Sequence, residues 1–124
     1  MKTFLILGGG TVGTILVHNM VKKLDTEQWK IIVVDRDKTH YYQPGFLFIP
    51  FGYYKRENIV KPRAKFLPRG VEFIIAEVDR IDPAANTVVF QDGSDLPYDY
   101  LIVATGAEIV PAETPGMLDG WRDT

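Results

Sequence analysis

Three glycines and one aspartate carry the clearest chemistry in this chain. The stretch "GGGTVG" sets Gly8, Gly10 and Gly13 in the pattern G-x-G-x-x-G, and Asp35 follows Gly13 by 22 residues. Each position has a physical reason. Gly8 permits a tight turn. Gly10 has no Cβ, so a pyrophosphate can come up against the backbone. Gly13 lets a helix pack close on a strand. A helix that starts here offers unpaired N–H groups and the positive end of its dipole to phosphate. The Asp35 carboxylate can accept hydrogen bonds from a ribose diol and opposes a 2′-phosphate. The pattern therefore points to FAD or NAD, which it does not separate, and away from NADP.

These residues need particular elements to hold them. Lys2 to Leu7 is a short apolar run stopped by glycines, as a parallel strand buried on both faces would be. From Thr11 the period becomes helical: Val12, Ile15, Leu16, Met20 and Leu24 recur at three- and four-residue spacing. Lys22 and Lys23 then fall in the last turn, where they suit the negative helix end. Residues 31–34 are four aliphatic β-formers ending at Asp35. Strand, glycine turn, helix and strand make one right-handed βαβ unit. Residues 59–68 read as one or two helical turns, and residues 71–77 as a third strand. Turn chemistry at residues 82–86 and again at Asp92-Gly93 brackets a strand at 87–91. A last apolar strand at 100–104 ends at Thr105-Gly106. The expected fold is α/β: a Rossmann-like three-layer domain with a parallel sheet plus a β-meander. An NAD-binding domain of this class usually continues with further βα repeats; here a meander stands in their place.

Composition narrows the function classes. A net charge of −2 gives no electrostatic case for nucleic acid or for an anionic membrane. The chain has no cysteine, which removes disulfides, thiolate metal sites and cysteine nucleophiles. The N-terminus lacks the pattern of a signal peptide, and no apolar run approaches the roughly 20 residues of a membrane span. A cytoplasmic location is expected. No catalytic residue and no metal site is assigned. His40 is read as a solvated or capping residue, His18 as surface, and Tyr98-Asp99-Tyr100 as the edge of a strand. The basic set Lys55, Arg56, Lys61, Arg63, Lys65 and Arg69 is read as a solvated face.

The stretch "HYYQPGFLFIPFGYY", residues 40–54, is too apolar for an ordinary surface loop and too interrupted for a regular helix or strand. Together "LILGGGTVG", "VVDRD", "AEVDRID" and "YDYLIVATG" resemble the FAD-binding half of the two-dinucleotide flavoprotein reductases. The aromatic stretch after the acidic strand end resembles that of sulfide:quinone oxidoreductases. Type II NADH dehydrogenases and flavocytochrome c sulfide dehydrogenases are close relatives. The resemblance implies FAD as cofactor. It places Gly8, Gly10, Thr11 and Gly13 along the pyrophosphate, with Ala104, Thr105 and Gly106 passing near it. It places Asp35 on the adenosine ribose, Arg36 beside the adenine and the backbone of Val78 at the adenine edge. Gln43 and Pro44 become candidates for the isoalloxazine region. Phe46, Phe48, Phe51, Tyr53 and Tyr54 would then pack under a further domain or line a quinone-side cavity, leaving the stretch poorly covered in this chain.

The implied activity is oxidation of sulfide with transfer of two electrons through FAD to a quinone. NADH:quinone reduction on the same scaffold, or a non-catalytic nucleotide-binding module, are the alternatives. The missing cysteine pair argues against a dithiol reductase. Residues 1–115 are expected to form the FAD-binding half-domain, and residues 116–124 the start of a linker to a second domain. Such a piece by itself is expected to be inactive, to hold FAD weakly or not at all, and to be prone to self-association. Sulfide and quinone would be partners of the full-length protein, peripheral to the inner membrane, with membrane contact only through its C-terminal part; nucleic acid is not expected.

Overall fold

The apolar run at the N-terminus forms the strand around which the rest is built. The computed structural model describes residues 1–121. Strand β1 (Lys2–Leu7) leads through the glycine turn into helix α1 (Thr11–Met20) and back into β2 (Trp29–Asp35). Two short strands, β3 (Thr39–Tyr41) and β4 (Val60–Pro62), pair antiparallel, with the four-residue α2 (Arg56–Ile59) just before β4. Then come β5 (Val71–Ile75), β6 (Val78–Asp82), β7 (Thr87–Phe90), β8 (Asp95–Pro97), β9 (Tyr100–Val103) and α3 (Met117–Trp121). The main sheet is parallel, in the order β5-β2-β1-β9, and β6-β7-β8 form an antiparallel meander.

Alternation along the strands explains the layers. Leu5 and Leu7 of β1, with Ile32 and Val34 of β2, pack against Val88 and Phe90 of the meander. Phe4, Ile6, Ile31 and Val33 pack on the other face, against Val17 of α1. Helix, sheet and meander are the three layers expected. Residues 4–7 of β1 and 31–34 of β2 are buried on both faces, and these stretches are apolar throughout. A fully buried aliphatic side chain of this kind contributes about 1.5–3 kcal/mol.

Several local expectations are corrected. Helix α1 ends at Met20, because the N–H groups of Lys23 and Leu24 both bond the Met20 carbonyl and close the helix in a tight turn. Lys22 and Lys23 therefore lie beyond it. Its buried positions are Gly13 and Val17, with Leu16 and Met20 partly covered, while Val12 and Ile15 are exposed. The third strand stops at Ile75, one residue before the Ala76 N–H makes a last bond to the Asp35 carbonyl of β2.

The aromatic stretch is more regular than its sequence suggests. It starts in β3 and continues as a 3-10 helix, Gln43–Phe48, in which Gly45 is buried. The Phe48 ring meets Tyr53 and Tyr54 edge-on, with centroids 6.3 and 5.5 Å away. It is poorly covered, as expected: Leu47, Phe51 and Tyr53 are all 70% exposed or more. In the segment read as a linker, residues 117–121 form α3, and residues 122–124 lie outside the described residues.

Candidate functional site

The carboxyl ends of the parallel strands converge where the chain order reverses, since β1 is flanked by β2 on one side and by β9 on the other. A cavity of about 320 Å³ opens there, within the size range of small-ligand sites. Its walls come from Leu7 and Gly8 after β1, Val34, Asp35 and Arg36 at the end of β2, and Ala76, Glu77 and Val78 between β5 and β6. Thr105, Gly106, Ala107 and Glu108 after β9 complete it.

The three glycines of the fingerprint do different things. Gly8 has φ +99°, in the region that favours glycine, and a Cβ there would collide with the Ala104 carbonyl. The ends of β1 and β9 come this close only because position 8 has no side chain. A Cβ on Gly13 would strike the Gly8 carbonyl, so Gly13 seats α1 on the turn. Gly10 has an ordinary φ of −72°, and a Cβ on it would meet nothing within 4 Å. The fold in hand does not require glycine here. The space outside the first turn of α1 is open, and the helix has no side-chain cap and no acid in its first turn. Its first N–H groups are the donors that a phosphate would take. Thr11 opens the helix, and Thr14 Oγ1 donates to the Gly9 carbonyl at 3.2 Å.

Asp35 is at the end of β2, as its spacing suggested, but its carboxylate is already engaged. Oδ2 accepts from the Gly9 N–H at 2.7 Å and lies 3.3 Å from Arg63 Nη1, while Oδ1 accepts from the Asp37 N–H at 2.9 Å. A carboxylate has about four acceptor positions. One therefore remains for a hydroxyl in the cavity that Asp35 lines.

Arg36 pairs with Glu108 at 3.2 Å across the rim; both side chains are more than half exposed. With Asp35, Glu77 and Glu108 on its walls against one arginine, the cavity suits hydroxyl and amine donors. A phosphate would be better placed at the start of α1. Val78 opens β6, its partner across the ladder being Phe90. The Glu77 carbonyl beside it accepts from Gln91 N–H at 2.9 Å.

Of the residues read from the sequence, Gly8, Asp35, Arg36, Val78, Thr105 and Gly106 meet in this cavity. Ala104 abuts Gly8, while Gly10, Thr11 and Gly13 form the adjoining helix start. Gln43 and Pro44 do not line it; they open the exposed 3-10 helix. Glu77 and Glu108 were missed, although each directly adjoins or closely follows a residue that was read.

Arg63 is a correction. Its sequence neighbours suggest a solvated basic face, yet it is 7% exposed and holds three acceptors. His40 lies in β3, with its ring 4.7 Å from that of Phe66. Burial, and then the Arg63 charge, hold its pKa below the ordinary 6.5. His18 is exposed, with Nε2 2.8 Å from the Phe66 carbonyl. Asp99 does set a strand edge: its Oδ2 accepts from the Thr3 N–H at 2.6 Å, and its own N–H donates to the Thr3 carbonyl. Among the described residues no helix is long and apolar enough to cross a membrane.

The profile of the pyridine nucleotide-disulphide oxidoreductase family matches residues 2–124. The chain is 30% identical over 115 residues to a mitochondrial sulfide:quinone oxidoreductase of Dictyostelium discoideum, covering 93% of this chain and 25% of that protein. It is 32% identical over 123 residues to a type II NADH:quinone oxidoreductase of Staphylococcus haemolyticus, covering 98% and 29%. The solved structure of the Aquifex aeolicus sulfide:quinone oxidoreductase superposes with a TM-score of 0.75 at 32% identity, over 89% of this chain and 25% of that one. The chain thus spans about a quarter of the length of these relatives.

Proposed function

Because the chain belongs to the pyridine nucleotide-disulphide oxidoreductase family, whose members bind FAD, we propose that it is the FAD-binding part of a sulfide:quinone oxidoreductase. One observation carries the cofactor reading: a carboxylate with a spare acceptor position stands in a cavity at the strand ends, beside a helix start left uncapped. Asp35 would hold the adenosine ribose and the Val78 backbone the adenine edge. The first N–H groups of α1, with Gly10 and Thr11, would hold the pyrophosphate, and Thr105 and Gly106 would pass beside it. Gln43 and Pro44, outside the cavity, are proposed to meet the isoalloxazine end. FAD, when bound, supplies the two-electron redox chemistry, and the protein supplies binding, orientation and control of access.

Sulfide as donor is supported by the two sulfide:quinone oxidoreductases above and by the aromatic stretch that follows β2. Phe46, Phe48, Phe51, Tyr53 and Tyr54 would line a quinone-side surface or lie under a further domain. NADH as donor is the second reading, favoured by the match to the Staphylococcus haemolyticus enzyme over nearly all of this chain.

The test is anaerobic mixing of the flavin-loaded full-length protein with sulfide or with NADH, followed by a soluble quinone. Bleaching of the flavin by sulfide and its return with quinone are expected. Bleaching by NADH alone would favour the second reading. Preparations that bind nucleotide but never carry flavin would leave a non-catalytic binding module.

A further inference from the structure

We infer that Arg63 is the positioning residue of this site, fixing the Asp35 carboxylate and the Gly9 amide so that ribose-binding and phosphate-binding ends share one geometry before ligand arrives. The inference rests on the dinucleotide reading above. Among the described residues Arg63 is the one polar or charged residue that is buried. A buried guanidinium needs partners, and every nitrogen of this one has them. Nη1 faces Asp35 Oδ2 at 3.3 Å, Nε donates to the Asp37 carbonyl at 2.8 Å, and Nη2 donates to the Thr39 carbonyl at 2.8 Å. The fork thus ties down the carboxylate and the two backbone steps that leave it.

The same carboxylate oxygen takes the Gly9 N–H at 2.7 Å, which links the fork to the turn that starts α1. Gly9 is the one member of the glycine run outside the G-x-G-x-x-G positions. A Cβ on it would meet Arg63 Cδ at 2.7 Å. Its lack of a side chain is what gives Arg63 passage. With Oδ2 shared in this way and Oδ1 held by the Asp37 N–H, the orientation of the carboxylate is set by the protein alone. Lysine could supply the charge but not three divergent donors in one plane.

The inference is tested in the full-length protein stripped of its flavin, with ADP as the probe, by calorimetric titration of wild type, Arg63→Lys, Arg63→Met, Asp35→Asn and the Arg63→Met/Asp35→Asn double variant. The Gly9 amide is followed in parallel by its NMR shift and exchange rate. Both Arg63 variants are expected to bind ADP about ten- to a hundredfold more weakly, the range for a lost hydrogen bond to a charged group. The double variant should be no worse than Asp35→Asn, because Arg63 acts through Asp35. The Gly9 amide should move and exchange faster in every variant. If Arg63→Met fails to fold, Arg63→Lys and the Gly9 signal carry the same test. Unchanged ADP affinity in the folded Arg63 variants, an unmoved Gly9 amide, or losses that add in the double variant would overturn the inference. Absence of ADP binding by wild type at millimolar concentration would overturn the nucleotide reading, and this inference with it.

Discussion

Replacing Gly10 by alanine separates binding from folding. The backbone there is at φ −72°, which alanine adopts freely, and the added Cβ would meet no atom within 4 Å. Two small terms oppose each other. Alanine restricts the unfolded chain and gains about 0.4–1 kcal/mol, but it is a poorer N-cap than glycine by a similar amount. Net stability should stay within about 0.5 kcal/mol, so Tm should move by no more than about 4 °C. Binding is another matter, because the methyl group would stand where the proposed pyrophosphate must approach the first N–H groups of α1. Displacing one charge-assisted hydrogen bond costs about 1.5–3 kcal/mol, or roughly ten- to a hundredfold in affinity. Thermal unfolding without ligand and calorimetric titration with ADP measure the two separately. An unchanged ADP affinity would refute the placement of phosphate at this turn. A fall in Tm above about 8 °C would refute the claim that Gly10 serves the ligand rather than the fold.

Gly13→Ala is expected to do the reverse, because its Cβ would strike the Gly8 backbone. Urea unfolding should show a loss of about 1–3 kcal/mol, the usual range for overpacking. His40, its pKa held below 6.5, stays neutral in the folded chain after the unfolded chain has taken up a proton. Its contribution should thus be intact above about pH 6.5 and decline as pH falls below it. His40→Gln should flatten the acid side of a plot of urea midpoint against pH, and parallel curves for variant and wild type would disprove this. Glu108→Gln breaks an exposed pair at the cavity rim, screened by solvent, and should leave stability at moderate salt almost unchanged. A larger loss on denaturant titration would mean that the rim pair holds the loop after β9.

The βαβ unit was legible because period, glycine spacing and strand-end acid all agree, and nothing distant is needed to interpret them. Asp35 could be placed for that reason. Arg63 could not. A basic residue between solvated neighbours reads the same whether it faces water or a carboxylate many positions away, and its partners Asp35, Asp37 and Thr39 all come from the other side of the aromatic stretch. Leu24 misled in another way. It is apolar and packs against the α1 side of the sheet, but from a turn, so its spacing extended the helix too far. Val12 and Ile15 fit the period yet lie off the face that Gly13 seats. Gln43 and Pro44 are assigned to the isoalloxazine region from the resemblance and from their place after the strand that ends at Asp35; they lie outside the cavity, at the start of the 3-10 helix.

Strand β1 draws its two neighbours from very different distances along the chain. It joins β2 across a single helix, but its other edge waits for β9, where Thr3 and Asp99 bond across 96 residues. Contacts so far apart form late, since a long loop must close before they stabilise anything. The wall made by Thr105 to Glu108 comes after even that strand. As the chain is synthesised, the glycine turn and Asp35 exist early, with one side of their cavity missing. A nucleotide held as proposed would meet all the walls of its cavity only once β9 has joined the sheet, and so would stabilise the finished sheet more than its precursors.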